Sequence, residues 1–114
     1  SVNMSFALTK EERLKTKDFR SVRWKRDKET TYFSLLGKEN PHCMKRIGIT
    51  IQKRAGGAVR RNRMRRLIRE FFRLHKPLFK DHYDSVVKVK GIPETIIWKD
   101  ISKELQVLVD SHVK

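Results

Sequence analysis

The chain has 114 residues, enough for one small domain with a single hydrophobic core. Its 28 Lys and Arg against 13 Asp and Glu give a formal net charge of +15, which destabilises a compact fold through self-repulsion unless a polyanion offsets it. This composition favours a nucleic-acid-binding protein, ranks an anionic membrane surface second as partner, and disfavours a lone metabolic enzyme.

The N-terminal segment predicts one short helix. Thr9 and Glu12 have the spacing of a capping box, in which a Thr oxygen and a Glu carboxylate satisfy free amides at a helix start. We therefore expect a helix within residues 10–22, preceded by a flexible stretch at residues 1–8.

Two strands are predicted next. β-branched and aromatic side chains favour a strand over residues 30–36, and residues 37–41 (Gly-Lys-Glu-Asn-Pro) predict a turn. Residues 46–52 alternate, so that the face directed toward the core consists of Ile47, Ile49 and Ile51. The other face is flat and polar, suits either an extended ligand or plain solvent contact, and consists of Gly48, Thr50 and Gln52.

A long amphipathic helix follows and should end near Pro77. Its apolar stripe consists of Met64, Leu67, Ile68, Phe71 and His75. Residues 85–90 predict a third strand, residues 91–93 a turn, and residues 98–113 a last amphipathic helix. Strands grouped together, with helices on one side, indicate an α+β fold.

Positive charge is concentrated on the long helix. Residues 53–76 hold ten basic side chains and one acid, Glu70, which can offset only part of the charge, through Arg66. At ~100° per residue, the arc opposite the apolar stripe consists of Arg61, Asn62, Arg65, Arg66 and Arg69. A solvated helix ordinarily mixes charge signs, and this one stacks like charges, so we predict contact with phosphates.

The remaining sequence features mainly exclude kinds of site and segment. Phe19, Trp24, Tyr32 and Phe33 could stack on unpaired bases or fill the core, and the core is the better prediction for each. Cys43 has no evident nucleophilic partner and the four His have no shared spacing, so no active site or metal site is predicted. Apolar runs of at most three residues exclude a membrane span and a signal peptide.

Residues 46–72 contain, without a gap, Arg-x-Gly, a strand, Lys-Arg, Gly-x-Ala-Val and Arg-Asn-Arg before an Arg-rich helix. The positions are Arg46, Gly48, Lys53, Arg54, Gly56, Ala58, Val59, Arg61, Asn62, Arg63, Arg66 and Arg69. In these motifs the chain resembles the protein subunit of bacterial ribonuclease P. Residues 14–22, the Val-Val-x-Val strand and the last helix agree as well, so the resemblance covers nearly the whole chain.

The resemblance implies one RNA-binding domain over residues 1–114 with the element order α-β-β-β-α-β-α. Its four-stranded sheet would have the fold of the second domain of ribosomal protein S5, and the additional strand would lie around residues 23–28. The crossover through the Arg-rich helix would be left-handed, against the usual right-handed rule.

The resemblance also implies a noncatalytic subunit of the ribonucleoprotein endonuclease that removes the 5′ leader from precursor tRNA in the bacterial cytoplasm. The RNA subunit would perform the hydrolysis with Mg²⁺ held mainly by RNA and substrate, and the isolated chain would be inactive. The expected partners are ribonuclease P RNA and precursor tRNA, with no membrane and no small-molecule substrate. A ribosomal or general RNA-binding protein, a DNA-binding regulator and an autonomous nuclease are the alternatives.

By the same resemblance, two sets of residues would contact RNA. The RNA subunit would be bound by Lys53, Arg54, Arg60, Arg61, Asn62, Arg63, Arg65, Arg66 and Arg69. The single-stranded leader would lie in a cleft lined by Phe19, Val22, Arg23, Trp24, Tyr32, Leu35, Gly48, Thr50, Gln52 and Lys90. Arg23 and Leu35 stand where the family often has aromatic residues, which weakens the expectation of base stacking but not that of phosphate contact.

Overall fold

The computed structural model describes residues 25–41, 45–79 and 81–109, together with Arg13. The elements in chain order are β1 (Lys25–Glu29), β2 (Phe33–Glu39), β3 (Arg46–Ile51), α1 (Ala58–Leu74), β4 (Tyr83–Val89) and α2 (Trp98–Val109). Single 3₁₀ turns, Lys53–Ala55 and Lys76–Leu78, flank α1.

This order confirms the predicted α+β architecture over the described part of the chain. The additional strand that the resemblance implied near residues 23–28 is β1. The long helix ends at Leu74, just before the Pro77 turn, as predicted. The opening helix expected within residues 10–22 and the stretch 1–8 lie outside the described residues, except for Arg13.

The four strands form one mixed sheet in the order β1-β2-β4-β3. β2 is antiparallel to both β1 and β4, whereas β3 is parallel to β4. Parallel neighbours need a crossover connection, and α1 provides it by running back over the sheet between β3 and β4. The left hand of this crossover stays a prediction.

One face of the sheet packs against both helices and forms the core. The strands contribute Phe33, Leu35, Ile47, Val87 and Val89. The helices contribute Met64, Ile68, Phe71, Phe72, Ile101, Leu105, Leu108 and Val109. The apolar stripe predicted for the long helix is confirmed, and Phe72 widens it.

The turn predicted at residues 37–41 is wrong. β2 continues through Gly37 to Glu39, and Gly37 lies opposite Ser85 of β4 on one side and Lys25 of β1 on the other. Pairing with two neighbouring strands outweighs the local turn preference of this segment. The chain leaves the sheet only at Asn40, whose amide donates to the carbonyl of His82 at 2.8 Å.

A buried carboxylate joins three of the strands. Asp84 of β4 has no solvent exposure and accepts two hydrogen bonds of 2.8 Å from the guanidinium of Arg46 at the start of β3. The side-chain amide of Asn40, which follows β2, donates a third bond of 2.7 Å to the same carboxylate. These donors compensate a charge that would otherwise be costly to bury.

Arg46→Ala should therefore lower the free energy of unfolding by about 3–5 kcal/mol, because it leaves the Asp84 carboxylate buried without its cation. Urea denaturation followed by circular dichroism measures the change. Lys103→Ala removes an exposed cation from α2 and is the control, with an expected change of at most about 0.5 kcal/mol. Equal losses for the two variants would contradict the proposed importance of the buried pair.

Candidate nucleic-acid interface

The Arg-rich helix α1 begins without a side-chain cap. Gly57 is the N-cap residue, its backbone is extended (φ −69°, ψ 168°), and the first turn has no acidic residue. A β-carbon at Gly56 would lie only 3.2 Å from Cδ1 of Ile92, so glycine allows this loop to pack closely on the segment before α2. The uncapped amides and the helix dipole at this end favour an anion.

The exposed side of α1 carries most of the predicted RNA contacts. Asn62 and Arg66 are exposed, and Arg61 and Arg65 are half-buried. Arg61 donates one bond of 3.0 Å to the carbonyl of Gly56, and Arg65 donates one of 3.3 Å to Oδ1 of Asn62. Both guanidinium groups keep further donors available for phosphate oxygens. The exposed cations on the turn before the helix are Lys53 and Arg54.

Arg60 and Arg63, also predicted as RNA contacts, bind the chain itself. The guanidinium of Arg60 donates to the carbonyl of Pro93 and, at 3.1 Å, to that of Glu94. Arg63 donates to the carbonyl of Ile96 at 3.3 Å. These two residues therefore fasten the segment before α2 to the start of α1.

The one acidic residue of α1 neutralises Arg73 and not Arg66. Glu70 accepts two hydrogen bonds from the Arg73 guanidinium, one of them 2.8 Å long. These bonds lower the pKa of Glu70 and raise the pKa of Arg73. The predicted pairing of Glu70 with Arg66 is wrong, and within the described residues Arg66 has no hydrogen-bond or ion-pair partner.

Arg69 lies in a concentration of positive charge. Partial burial lowers the pKa of Arg69, and the charges of Arg13 and Arg65 lower it further. Arg65 is one helical turn before Arg69, whereas Arg13 belongs to the N-terminal segment, where its backbone bridges to Ile47 at the edge of β3. The sequence analysis placed Arg65 and Arg69 together but missed Arg13.

The sheet face that points away from the helices carries the polar surface predicted for β3. Residues paired across the sheet form rows on this face. One row consists of Ser34, Lys88 and Thr50, and the next consists of Leu36, Val86 and Gly48. Gly48 and Thr50 therefore lie on this face, as predicted. Lys88 lies exposed between Ser34 and Thr50, and the sequence analysis did not predict it as a site residue. Strand alternation could have identified it, because its neighbours Val87 and Val89 belong to the core and Lys88 must therefore point to the other face.

Leu35, predicted to line the leader cleft, does not lie on this face. Its side chain is fully buried on the core face, paired across the sheet with Val87. Successive side chains of a strand point to opposite faces, so the half-buried Leu36 takes the position on the polar face. The prediction for Leu35 is therefore wrong by one residue.

The ends of β3 and β4 carry two further predicted cleft residues, Gln52 and Lys90, and both are exposed. Lys90 forms an ion pair of 2.8 Å with Glu29 of β1, and the hydroxyl of Ser34 donates to the same carboxylate at 3.1 Å. Gln52 accepts a bond of 2.7 Å from Arg54. One carboxylate thus occupies a rim that is otherwise basic and polar.

Tyr32, the remaining described cleft residue, is half-buried against the core, and its amide donates to the Glu104 carboxylate at 3.0 Å. The other predicted cleft residues lie outside the described residues: Phe19, Val22, Arg23 and Trp24.

Three further observations bear on other kinds of site. His75 at the end of α1 stacks on Phe71 with ring centroids 4.2 Å apart, the position of a packing residue. In residues 25–41, 45–79 and 81–109, no three His, Cys, Asp or Glu side chains lie close enough to hold a metal ion. None of the helices in this part of the chain is both long and apolar enough to cross a membrane.

Comparison with known proteins places these surfaces in context. The family model described as Ribonuclease P matches residues 8–112. The ribonuclease P protein component of Syntrophus aciditrophicus is 44% identical over 80 residues, which cover 70% of this chain and 67% of that protein. The corresponding protein of Desulforapulum autotrophicum is 33% identical over 114 residues and matches 96% of each chain.

Solved structures agree with the sequence matches. The RNase P protein from Thermotoga maritima has a TM-score of 0.74 at 27% identity, with 87% of this chain and 96% of that chain covered. The RNase P protein of Staphylococcus aureus has a TM-score of 0.76 at 25% identity, with 86% and 92% covered. The four-stranded α+β fold is therefore shared with both.

Arg60→Ala should destabilise the folded chain by about 1–3 kcal/mol, because it removes charged hydrogen bonds to the carbonyls of Pro93 and Glu94. Arg66→Ala, on the same helix but at a residue without a partner in the described parts of the chain, should change the free energy of unfolding by at most about 0.5 kcal/mol. Urea titrations compare the two variants. Amide hydrogen exchange in residues 94–97 should accelerate only in the first, and unchanged exchange there would contradict the fastening role of Arg60.

Proposed function

The chain belongs to the family of ribonuclease P protein components, which take part in tRNA processing with an RNA subunit, and we propose that α1 binds that subunit while the polar sheet face holds the 5′ leader of precursor tRNA. The observation that carries this proposal is the uncompensated charge on α1. Arg61, Arg65, Arg66 and Arg69 have no carboxylate partner in the described structure, since Glu70 is bound to Arg73.

Binding to the RNA subunit would be mainly electrostatic. The planar guanidinium group can hold two phosphate oxygens at once, and several such groups along α1 would replace the counterions of the RNA backbone. The cations Lys53 and Arg54, on the turn before the helix, extend the same surface. Arg60 and Arg63 would act indirectly, by keeping the start of α1 attached to the segment before α2.

The leader would use the opposite side of the sheet. Ser34, Lys88 and Thr50 form a polar row with one exposed cation, and the neighbouring row is flat at Gly48. The exposed ammonium of Lys88 and the half-buried hydroxyl of Thr50 suit the phosphates and 2′-hydroxyls of an extended single strand, whereas Ser34 is buried and its hydroxyl donates to Glu29. Because this face and the exposed side of α1 point in different directions, the protein could contact two RNAs simultaneously.

We further propose that the RNA subunit performs the hydrolysis and that the isolated protein is inactive. Mg²⁺, when bound to the RNAs, would act as a Lewis acid and orient the attacking water. Among the described side chains of the sheet face, Glu29 is engaged by Lys90 and Asp84 by Arg46, so these two carboxylates do not offer a set of ligands for that ion. The protein's own part is to screen repulsion between two RNAs, which lowers the Mg²⁺ concentration that they require.

The decisive experiment measures cleavage of a leader-bearing precursor tRNA at low Mg²⁺ by the source organism's ribonuclease P RNA. We expect cleavage only when the RNA and this chain are both present. Binding without stimulation would favour a general RNA-binding protein, and cleavage by the chain alone would mean that the protein is itself a nuclease.

A pair of variants should separate the two surfaces. Arg65→Ala should weaken binding of the RNA subunit by about 1–3 kcal/mol, as expected for a lost charged hydrogen bond. Lys88→Ala should leave that binding unchanged and reduce the preference of the assembled enzyme for leader-bearing over leaderless precursor. Filter binding and competitive cleavage measure the two quantities, with Lys103→Ala as the control for charge. The proposal fails if both variants alter the same quantity equally.

A further inference from the structure

We propose that Arg13, Arg65 and Arg69 together hold one RNA phosphate, so that the N-terminal segment contributes directly to RNA binding. This inference rests on the proposed function and adds to it a residue outside both predicted contact sets. The three residues are called the Arg13 cluster below.

The topology explains why the charge of Arg13 acts on Arg69. β3 is the edge strand of the sheet, and the backbone of Arg13 bridges in parallel to Ile47 near its start. Since α1 connects two parallel strands, it runs antiparallel to β3, and its C-terminal half lies over the beginning of that strand. Arg69 is in this half, and Arg65 is four residues earlier, about 6 Å along the same side of the helix.

The Arg13 cluster lacks an acidic partner within the described residues. Arg13 is exposed, and the one acceptor that Arg65 has in the described parts of the chain is the neutral amide oxygen of Asn62. The nearest acid along the helix, Glu70, is bound to Arg73. Partial burial lowers the pKa of Arg69, and the positive charges of Arg13 and Arg65 lower it further, as expected for like charges from two chain segments that lie near one another.

A phosphate is the anion that this arrangement fits. It offers several strong acceptors around one centre, and guanidinium groups arriving from different directions can each bind a separate edge. Both the RNA subunit and the precursor tRNA carry phosphates. The chemistry is the same for the two sources, and the experiment must distinguish them.

The test uses the full chain and two measurements. One is the affinity for ribonuclease P RNA as a function of salt, and the other is the affinity of the assembled enzyme for precursor tRNA with and without its leader. Arg13→Ala should weaken one of them about tenfold, as expected for a lost charged hydrogen bond, and should reduce the corresponding salt slope by about one. Lys103→Ala removes one positive charge from α2 and should change neither the affinity nor the salt slope.

Sharing of one phosphate gives a sharper expectation. Arg13→Ala and Arg69→Ala should each weaken binding, and the double variant should lose less affinity than the product of the two single losses, because the residues act on the same group. Arg13→Lys should keep the salt slope but lose part of the affinity, since an ammonium lacks the guanidinium fork. Independent effects of the two substitutions would overturn the shared site.

The outcomes also separate this inference from the proposed function. If Arg13→Ala behaves like Lys103→Ala in both measurements while wild-type protein still stimulates cleavage, the Arg13 cluster is not a binding site and the proposed function stands. If wild-type protein neither binds the RNA subunit nor stimulates cleavage, the proposed function itself fails. Thermal unfolding without RNA should give Arg13→Ala a midpoint no lower than that of wild type, and a lower midpoint would contradict uncompensated repulsion in the cluster.

Discussion

The buried carboxylate of Asp84 fixes the alignment on which both faces of the sheet depend. Arg46 holds it from β3 and Asn40 from the end of β2, so that both neighbours of β4 are tied to that strand at one level. A slip by one residue would exchange the two faces of a strand. Lys88 would then enter the core and Val87 would face outward, which would destroy the core and the polar face together. A charged group in the interior thus enforces the separation of polar from apolar surface.

Positive charge on α1 is divided between two purposes. Arg60 and Arg63 donate hydrogen bonds to backbone carbonyls of the segment before α2, and these bonds hold the start of the helix in place. Other arginines on the helix, such as Arg66, remain without a partner in the described structure. Side-chain pairs therefore do little to stabilise α1, and its burial of Met64, Ile68, Phe71 and Phe72 must outweigh the repulsion. A polyanion bound only by the folded chain would raise its stability by mass action.

Features that depend on neighbouring residues were predicted correctly from the sequence, whereas features that depend on contacts between distant parts of the chain were not. The apolar stripe of α1 and the alternation in β3 are local periodic signals, and both elements are found where these signals lie. The turn predicted at residues 37–41 was wrong because the prediction used only the local preference of these residues. The pairing of Gly37 with two strands involves residues far away in the sequence. The contacts of Arg60 with Pro93 and of Arg13 with the edge of β3 join distant parts of the chain, and neither leaves a local pattern. Leu35 shows that carrying a role over from a family by position can fail when a single residue decides which face of a strand is reached.

The strand order also bears on how the nascent chain folds on the ribosome. β1 and β2 can form a hairpin as soon as both have emerged, but β3 is made before β4, the strand that separates it from β2 in the finished sheet. Until β4 is synthesised, β3 lacks its neighbouring strand and the backbone N–H and C=O groups on that edge are unpaired, a state in which incomplete chains are prone to associate. The next segment to emerge is α1, with its dense positive charge. Like charges on neighbouring nascent chains repel, so the helix that serves RNA binding in the finished protein would also keep unfinished copies apart.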